Sequence, residues 1–154
     1  MIQRIQSLFL LAVTILVSTL VFLPIANIAV EQNVWQLSAF KFSDELGNSL
    51  GFVPIGFIAI LVGLLALATI FLFKNRSLQI KLSKLNLLLI SLLLVACVFF
   101  TEIIIDKDSP VFKDAIINYQ FAVALPVLAL ICNYLAVHFI KKDDKLVRSA
   151  DRLR

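Results

Sequence analysis

Hydrophobic positions along this chain gather into four long runs, and the polar positions gather between them. Residues 5–30, 46–73, 85–101 and 115–140 contain no Asp, Glu, Lys or Arg. Crossing about 30 Å of hydrocarbon takes roughly 20 helical residues, so the pattern predicts four membrane-spanning helices. The expected spans are residues 5–28, 52–73, 78–105 and 110–140, with an outer connector at 31–51 and a tail at 141–154. The fold expected is all-α: an antiparallel four-helix transmembrane bundle forming a single membrane domain, 1–154.

Local signals refine the picture. Pro24 falls in the last turns of the first span, where a missing backbone donor kinks or ends a helix. In the outer connector, Trp35, Phe40 and Phe42 suit the headgroup zone. Residues 34–42 favour extended structure and 44–49 have turn composition, which predicts a small hairpin on the membrane surface. Pro54 and Ser109-Pro110 read as first-turn signals for the second and fourth spans. Gly56, Ala59, Gly63 and Ala66 form a small-residue stripe that marks an inward face. Leu78, Leu82, Leu85 and Leu89 fit one helical face, extending the third helix back to about Ser77. In the tail, Leu146, Val147, Ala150 and Leu153 share one face of a short amphipathic helix.

Composition removes the soluble alternatives. Of 154 residues, 61% are hydrophobic and 16% charged, against about a quarter charged in soluble domains. The net charge of +4 does not point to nucleic acid, because the basic residues flank apolar spans and form no single stripe. Their distribution fixes an orientation instead. Eleven Lys and Arg fall beside both chain ends and the second connector, and three fall in the other two connectors. Lys and Arg stay on the cytoplasmic side, so both termini are expected there. A signal peptide is the competing reading of the N-terminus. Its apolar core would be longer than the usual 7–15 residues, so an uncleaved span is expected.

Chemistry is sparse. Near the outer face, Asn27, Glu102, Asn118 and Gln120 could form a small hydrogen-bonded site for a cation or proton; Glu102 reaching the headgroups is the plainer reading. Near the inner face, Asn86 and Asn133 lie at comparable depth on adjacent spans and are expected to bond between helices. His138 is the only histidine and has no acidic or thiol neighbour in sequence. Cys97 and Cys132 read as small apolar fillers at different depths. No catalytic set, phosphate loop or metal signature is present, so neither an enzyme nor a cofactor is expected.

The two ends carry the most distinctive words. Met1-Ile2-Gln3-Arg4-Ile5-Gln6 and Asp144-Lys145-Leu146-Val147-Arg148-Ser149-Ala150-Asp151-Arg152-Leu153-Arg154 resemble a family of small membrane proteins of Bacteroidota, the domain of unknown function 4293. The resemblance implies four spans, a larger first outer connector, a charged cytoplasmic tail and a bacterial inner-membrane setting. It implies no activity. Arg4, Arg148, Asp151 and Arg152 form a candidate cytoplasmic surface, either clipping the two ends together or forming a basic rim for anionic headgroups. The function expected is a non-enzymatic scaffold or accessory subunit with a membrane-protein partner. The alternatives are a small channel or transporter using the outer cluster and, last, a lipid-modifying enzyme using His138.

Overall fold

The computed structural model describes residues 2–30, 33–44, 48–73, 75–104 and 115–151. Helix α1 (Ile2–Phe22) leads into four short strands, β1 (Ala26–Val30), β2 (Asn33–Leu37), β3 (Lys41–Asp44) and β4 (Ser49–Phe52). Helices α2 (Ile55–Phe71) and α3 (Arg76–Ile104) follow. Strand β5 (Ile116–Tyr119), a 3-10 turn at Phe121–Val123 and helix α4 (Ala124–Asp151) complete the chain. The helices neighbour one another in cyclic order, α1 beside α2, α2 beside α3, α3 beside α4 and α4 beside α1.

The expectation of an all-α fold is corrected by the strands. They form one antiparallel sheet in the order β4-β3-β2-β1-β5. Helix α1 stops at Phe22 rather than near residue 28, because Pro24 has no N–H to offer Leu20 and its ring crowds that carbonyl. The chain then turns extended at Ile25, whose N–H donates to the Leu37 carbonyl (2.7 Å). The expected hairpin therefore exists as part of a larger sheet. Strand β5 lies inside what reads as the fourth span, since Ile116-Ile117-Asn118-Tyr119 carries no charge. Its β-branched and aromatic residues suit a pleated surface, and β1 supplies the partner, with Ala26 opposite Tyr119 and Ile28 opposite Ile117. Ser109-Pro110 lies outside the described residues.

Three helices are long and apolar enough to cross a membrane, over Ile5–Phe22, Arg76–Ile104 and Phe121–Val147. Helix α2 is apolar but shorter, at 17 residues. The expected tail helix is a continuation of α4, unbroken to Asp151.

One core runs from the helical layer into the sheet. Leu10, Val13, Val17 and Leu20 line one face of α1 against Val62, Ala66, Ile90, Leu93 and Ala129 of the other helices, all at most 1% exposed. Above them Ile25, Ile28, Leu37 and Val53 are buried beneath the sheet. Between the layers, the Gly56 N–H donates to the Ala39 carbonyl (2.8 Å). A Cβ at Gly56 would overlap the Phe40 ring, so the glycine lets the β2–β3 turn sit on the start of α2.

Candidate functional site

Polar side chains concentrate at the two ends of the helical layer. At the sheet end, cross-strand register sets Asn27 opposite both Asn118 on β5 and Gln36 on β2, and Gln36 opposite Ser43 on β3. Directly opposed residues share a face of the sheet, so these four form a polar row across it. Asn27 is half-buried and its Oδ1 has no hydrogen-bond partner. The row escapes sequence inspection because its members lie far apart in the chain. Only the alternation in β1, buried Ala26 and Ile28 around Asn27, hints at it.

Glu102 stands on α3, outside the sheet. It is exposed in the last turn of α3, and its negative charge acts on Tyr119. Partial burial first, and Glu102 second, push the Tyr119 hydroxyl above its ordinary value of 10.0. Tyr119 is adjacent to Asn118 and so points to the opposite face of the sheet. Gln120 contributes its backbone, whose N–H donates to the Ile25 carbonyl (2.9 Å). Of these four residues, the register pairs Asn27 with Asn118, Glu102 acts on Tyr119, and Gln120 ties its backbone to Ile25.

At the opposite end, the start of α1, the α2–α3 turn and the later half of α4 come together. Gln6 Nε2 donates to the Phe139 carbonyl (3.2 Å), and the Phe9 and Phe139 rings stack at 5.6 Å. Arg76 and Asp143 form an ion pair at 3.2 Å, with side chains 28% and 17% exposed. Sequence reasoning missed this pair, although opposite charges at facing ends of adjacent spans were its signal. Arg4 lies in α1, and Arg148 and Asp151 lie in the last turns of α4. Arg152 lies outside the described residues.

Between these ends sits a buried polar knot. Asn133 Nδ2 donates to the Ser83 carbonyl (2.9 Å), in place of the expected bond to Asn86. The Ser83 hydroxyl, both amide atoms of Asn86 and Asn133 Oδ1 have no partner, and all three residues are 0% exposed. A turn closer to the Gln6–Phe139 end, Gln79 Nε2 donates to the Thr69 carbonyl (3.1 Å). His138 is exposed on α4. Among the described residues no group of three His, Cys, Asp or Glu could hold a metal.

A family model described as a domain of unknown function (DUF4293) matches residues 2–153, nearly the whole chain. No match was found among curated proteins.

Proposed function

The chain belongs to the DUF4293 family, and from that premise we propose that it is a four-crossing membrane scaffold or accessory subunit without catalytic activity. It would sit in the bacterial inner membrane with the Gln6–Phe139 end in the cytoplasm. The observation that carries this reading is the division between inside and outside. Over Val13–Leu20 of α1 and Ile90–Cys97 of α3 the buried side chains are apolar. Over the same depth, large side chains such as Ile15, Leu61, Leu92 and Val95 face outward, each 45–60% exposed. An exposed apolar belt on all sides is stable in lipid and costly in water. Buried side chains that are apolar over this depth offer little for an ion to follow, so a channel through Glu102 and the outer amides draws less support.

Two further features fit. Helix α2, at 17 residues, reaches the lower end of the range for a crossing. Among the described residues, Arg4 of α1, Arg76 of α3 and Lys141, Lys142 and Lys145 of α4 lie toward the end where Gln6 meets Phe139, in keeping with the cytoplasmic preference of Lys and Arg. Cross-linking in native membranes, then purification in mild detergent, tests the role. The expected result is a partner protein at fixed stoichiometry, and a reproducibly solitary chain contradicts it.

A further inference from the structure

The outward-facing apolar stripes of α1 and α3 match in length but not in level. On α1 the exposed apolar side chains run from Ile5 through Leu8 and Ile15 to Phe22, and on α3 from Leu85 through Leu92 and Phe99 to Ile103. Each stripe covers about 26 Å of helix, close to the thickness of the hydrocarbon layer. Arg4 stands just inward of the first stripe, and the exposed Lys84 and Glu102 bracket the second.

Hydrogen bonds fix how the stripes line up. Gln6 meets Phe139, and at the other end of the same pair of elements Gln120 meets Ile25, so α1 and α4 keep one register. Asn133 lies as far outward of Phe139 as Ala12 does of Gln6, and Asn133 meets Ser83. Ser83 therefore stands level with Ala12, and Lys84 with Val13. Arg4 lies roughly 13 Å of helix further in. At the outer end Glu102 acts on Tyr119, which faces Ala26 of β1. Glu102 thus stands at the level of the sheet, about 6–13 Å past Phe22, the limits being helical and extended rise. Both ends of the α3 stripe are displaced in the same direction, toward the sheet.

Helices α1 and α3 are diagonal corners of the bundle, since each neighbours α2 and α4. With neighbouring axes about 8–10 Å apart, the diagonal is roughly 13 Å. In an upright bundle the hydrocarbon layer fits one stripe or the other. With α1 in place, Lys84 stands deep among acyl chains, which is costly for an ammonium group, and Ile103 stands in water. A lean of roughly 35° along the diagonal brings both stripes to one depth, inside the range of about 0–40° for membrane helices. Each stripe then covers about 21 Å of depth; the Lys84 stem reaching inward and the Phe22 ring at the interface extend it.

Leaning also lowers one flank of the sheet. Strand β5 lies beside the end of α3, its Ile116 side chain is exposed, and so is Phe121 just after it. This apolar surface continues the α3 stripe. We infer that the bundle leans along its α1–α3 diagonal, so that the α3–β5 flank at Ile103, Ile116 and Phe121 rests in the outer leaflet of the membrane. Lipid is the occupant because the flank is continuous with a stripe that already faces acyl chains, and Glu102 beside Ile103 then meets the headgroups. The inference rests on the membrane reading above and adds an orientation and a contact surface to it.

The test uses the full chain in vesicles of phosphatidylcholine and phosphatidylglycerol. Cys132→Ala is the background, Cys97 being buried out of a label's reach. One spin label at a time is placed through Ile5→Cys, Phe22→Cys, Lys84→Cys, Ile103→Cys, Ile116→Cys or Gln36→Cys. Depth is read from relaxation by oxygen, which concentrates in hydrocarbon, against a water-soluble nickel chelate. The Lys84 label should share the depth of the Ile5 label, and the Ile103 label that of the Phe22 label, each within about 5 Å, one helical turn. The Ile116 label should be reached by oxygen and shielded from nickel. Gln36, exposed on the face of the sheet turned away from Ala26 and Ile28, should be open to nickel. An upright bundle separates the paired labels by roughly 6–13 Å and opens Ile103 and Ile116 to nickel, which overturns the lean. Shielding of Ile103 and Ile116 from both agents also overturns it, because a second copy then covers the flank. All six labels open to nickel would defeat the membrane reading itself; α1 labels in lipid with α3 labels out of step would defeat only the lean.

Discussion

Asn133 reaches across to the backbone of Ser83 (2.9 Å) and leaves Asn86, one turn further along α3, with neither amide atom paired. A carbonyl at position 83 already receives the helix N–H of position 87, so Asn133 takes its second lone pair. Asn86 has no such outlet. An unpaired buried polar group costs about 1–3 kcal/mol, whereas an apolar group of similar shape avoids that cost. Asn86→Leu is therefore expected to stabilise the protein by about 1 kcal/mol, read as a higher midpoint of thermal unfolding in detergent. Asn133→Leu relieves its own unpaired Oδ1 but loses the Ser83 bond, worth about 0.6 kcal/mol on average between membrane helices, so it should stabilise less than Asn86→Leu. Destabilisation by Asn86→Leu would contradict the unpaired state.

Two glycines of α2 separate packing from propensity. A Cβ on Gly56 meets the Phe40 ring, while one on Gly63 meets nothing within 4 Å. Phe40 is itself held edge-on against Phe57, with ring centroids 5.7 Å apart, so it cannot yield freely. Gly56→Ala should destabilise by about 1–3 kcal/mol through overpacking. Gly63→Ala should stabilise by about 0.5–1 kcal/mol, because alanine is the better helix former. Denaturation of both variants under one condition checks the contrast, and equal shifts would refute it.

The helices were legible because charge is nearly absent from hydrocarbon-facing segments, and the chain marks that absence in long blocks. The sheet was not. Ile116–Tyr119 is apolar and uncharged, so by composition it reads as membrane helix. Its conversion to a strand depends on β1, almost 90 residues away in sequence, with Asn27 opposite Asn118. The stop at Pro24 was readable, yet where the chain goes after it depends on Ile25 finding Leu37 and Gln120. The outer candidate residues were individually visible, but strand alternation decides which of them meet. That alternation turns Asn118, opposite Asn27, and Tyr119, on which Glu102 acts, to opposite faces of the sheet.

The Arg76–Asp143 ion pair joins the start of α3 to α4 with both side chains mostly buried. Exposed pairs contribute about 0.2–1 kcal/mol, and partial burial places this one toward the upper part of that range. A double-mutant cycle with Arg76→Gln and Asp143→Asn should give a coupling of about 1 kcal/mol, smaller at 1 M salt as screening shortens the electrostatic reach. Zero coupling at low salt would show that the pair adds nothing to the α3–α4 contact beyond packing and the Asn133–Ser83 hydrogen bond.

Tyr119 offers a pH signature for the sheet end. Its neutral form is favoured in the folded protein, first by burial and then by the nearby Glu102 charge. The folded value is thus raised above the unfolded one. Its contribution to stability is complete below the ordinary value of 10.0 and is lost as the pH climbs through the folded value. Glu102→Gln removes the charge but leaves the burial, so the phenol should titrate lower than in the parent and still above its ordinary range. Phenolate absorbance, followed with Tyr134→Phe as the background so that Tyr119 is the sole tyrosine, measures this directly. The alkaline loss of stability should begin at the same pH in the Glu102→Gln protein but be smaller and complete at lower pH. An unchanged titration would mean that Glu102 does not act on Tyr119, and the end of α3 would then have to be held apart from β5.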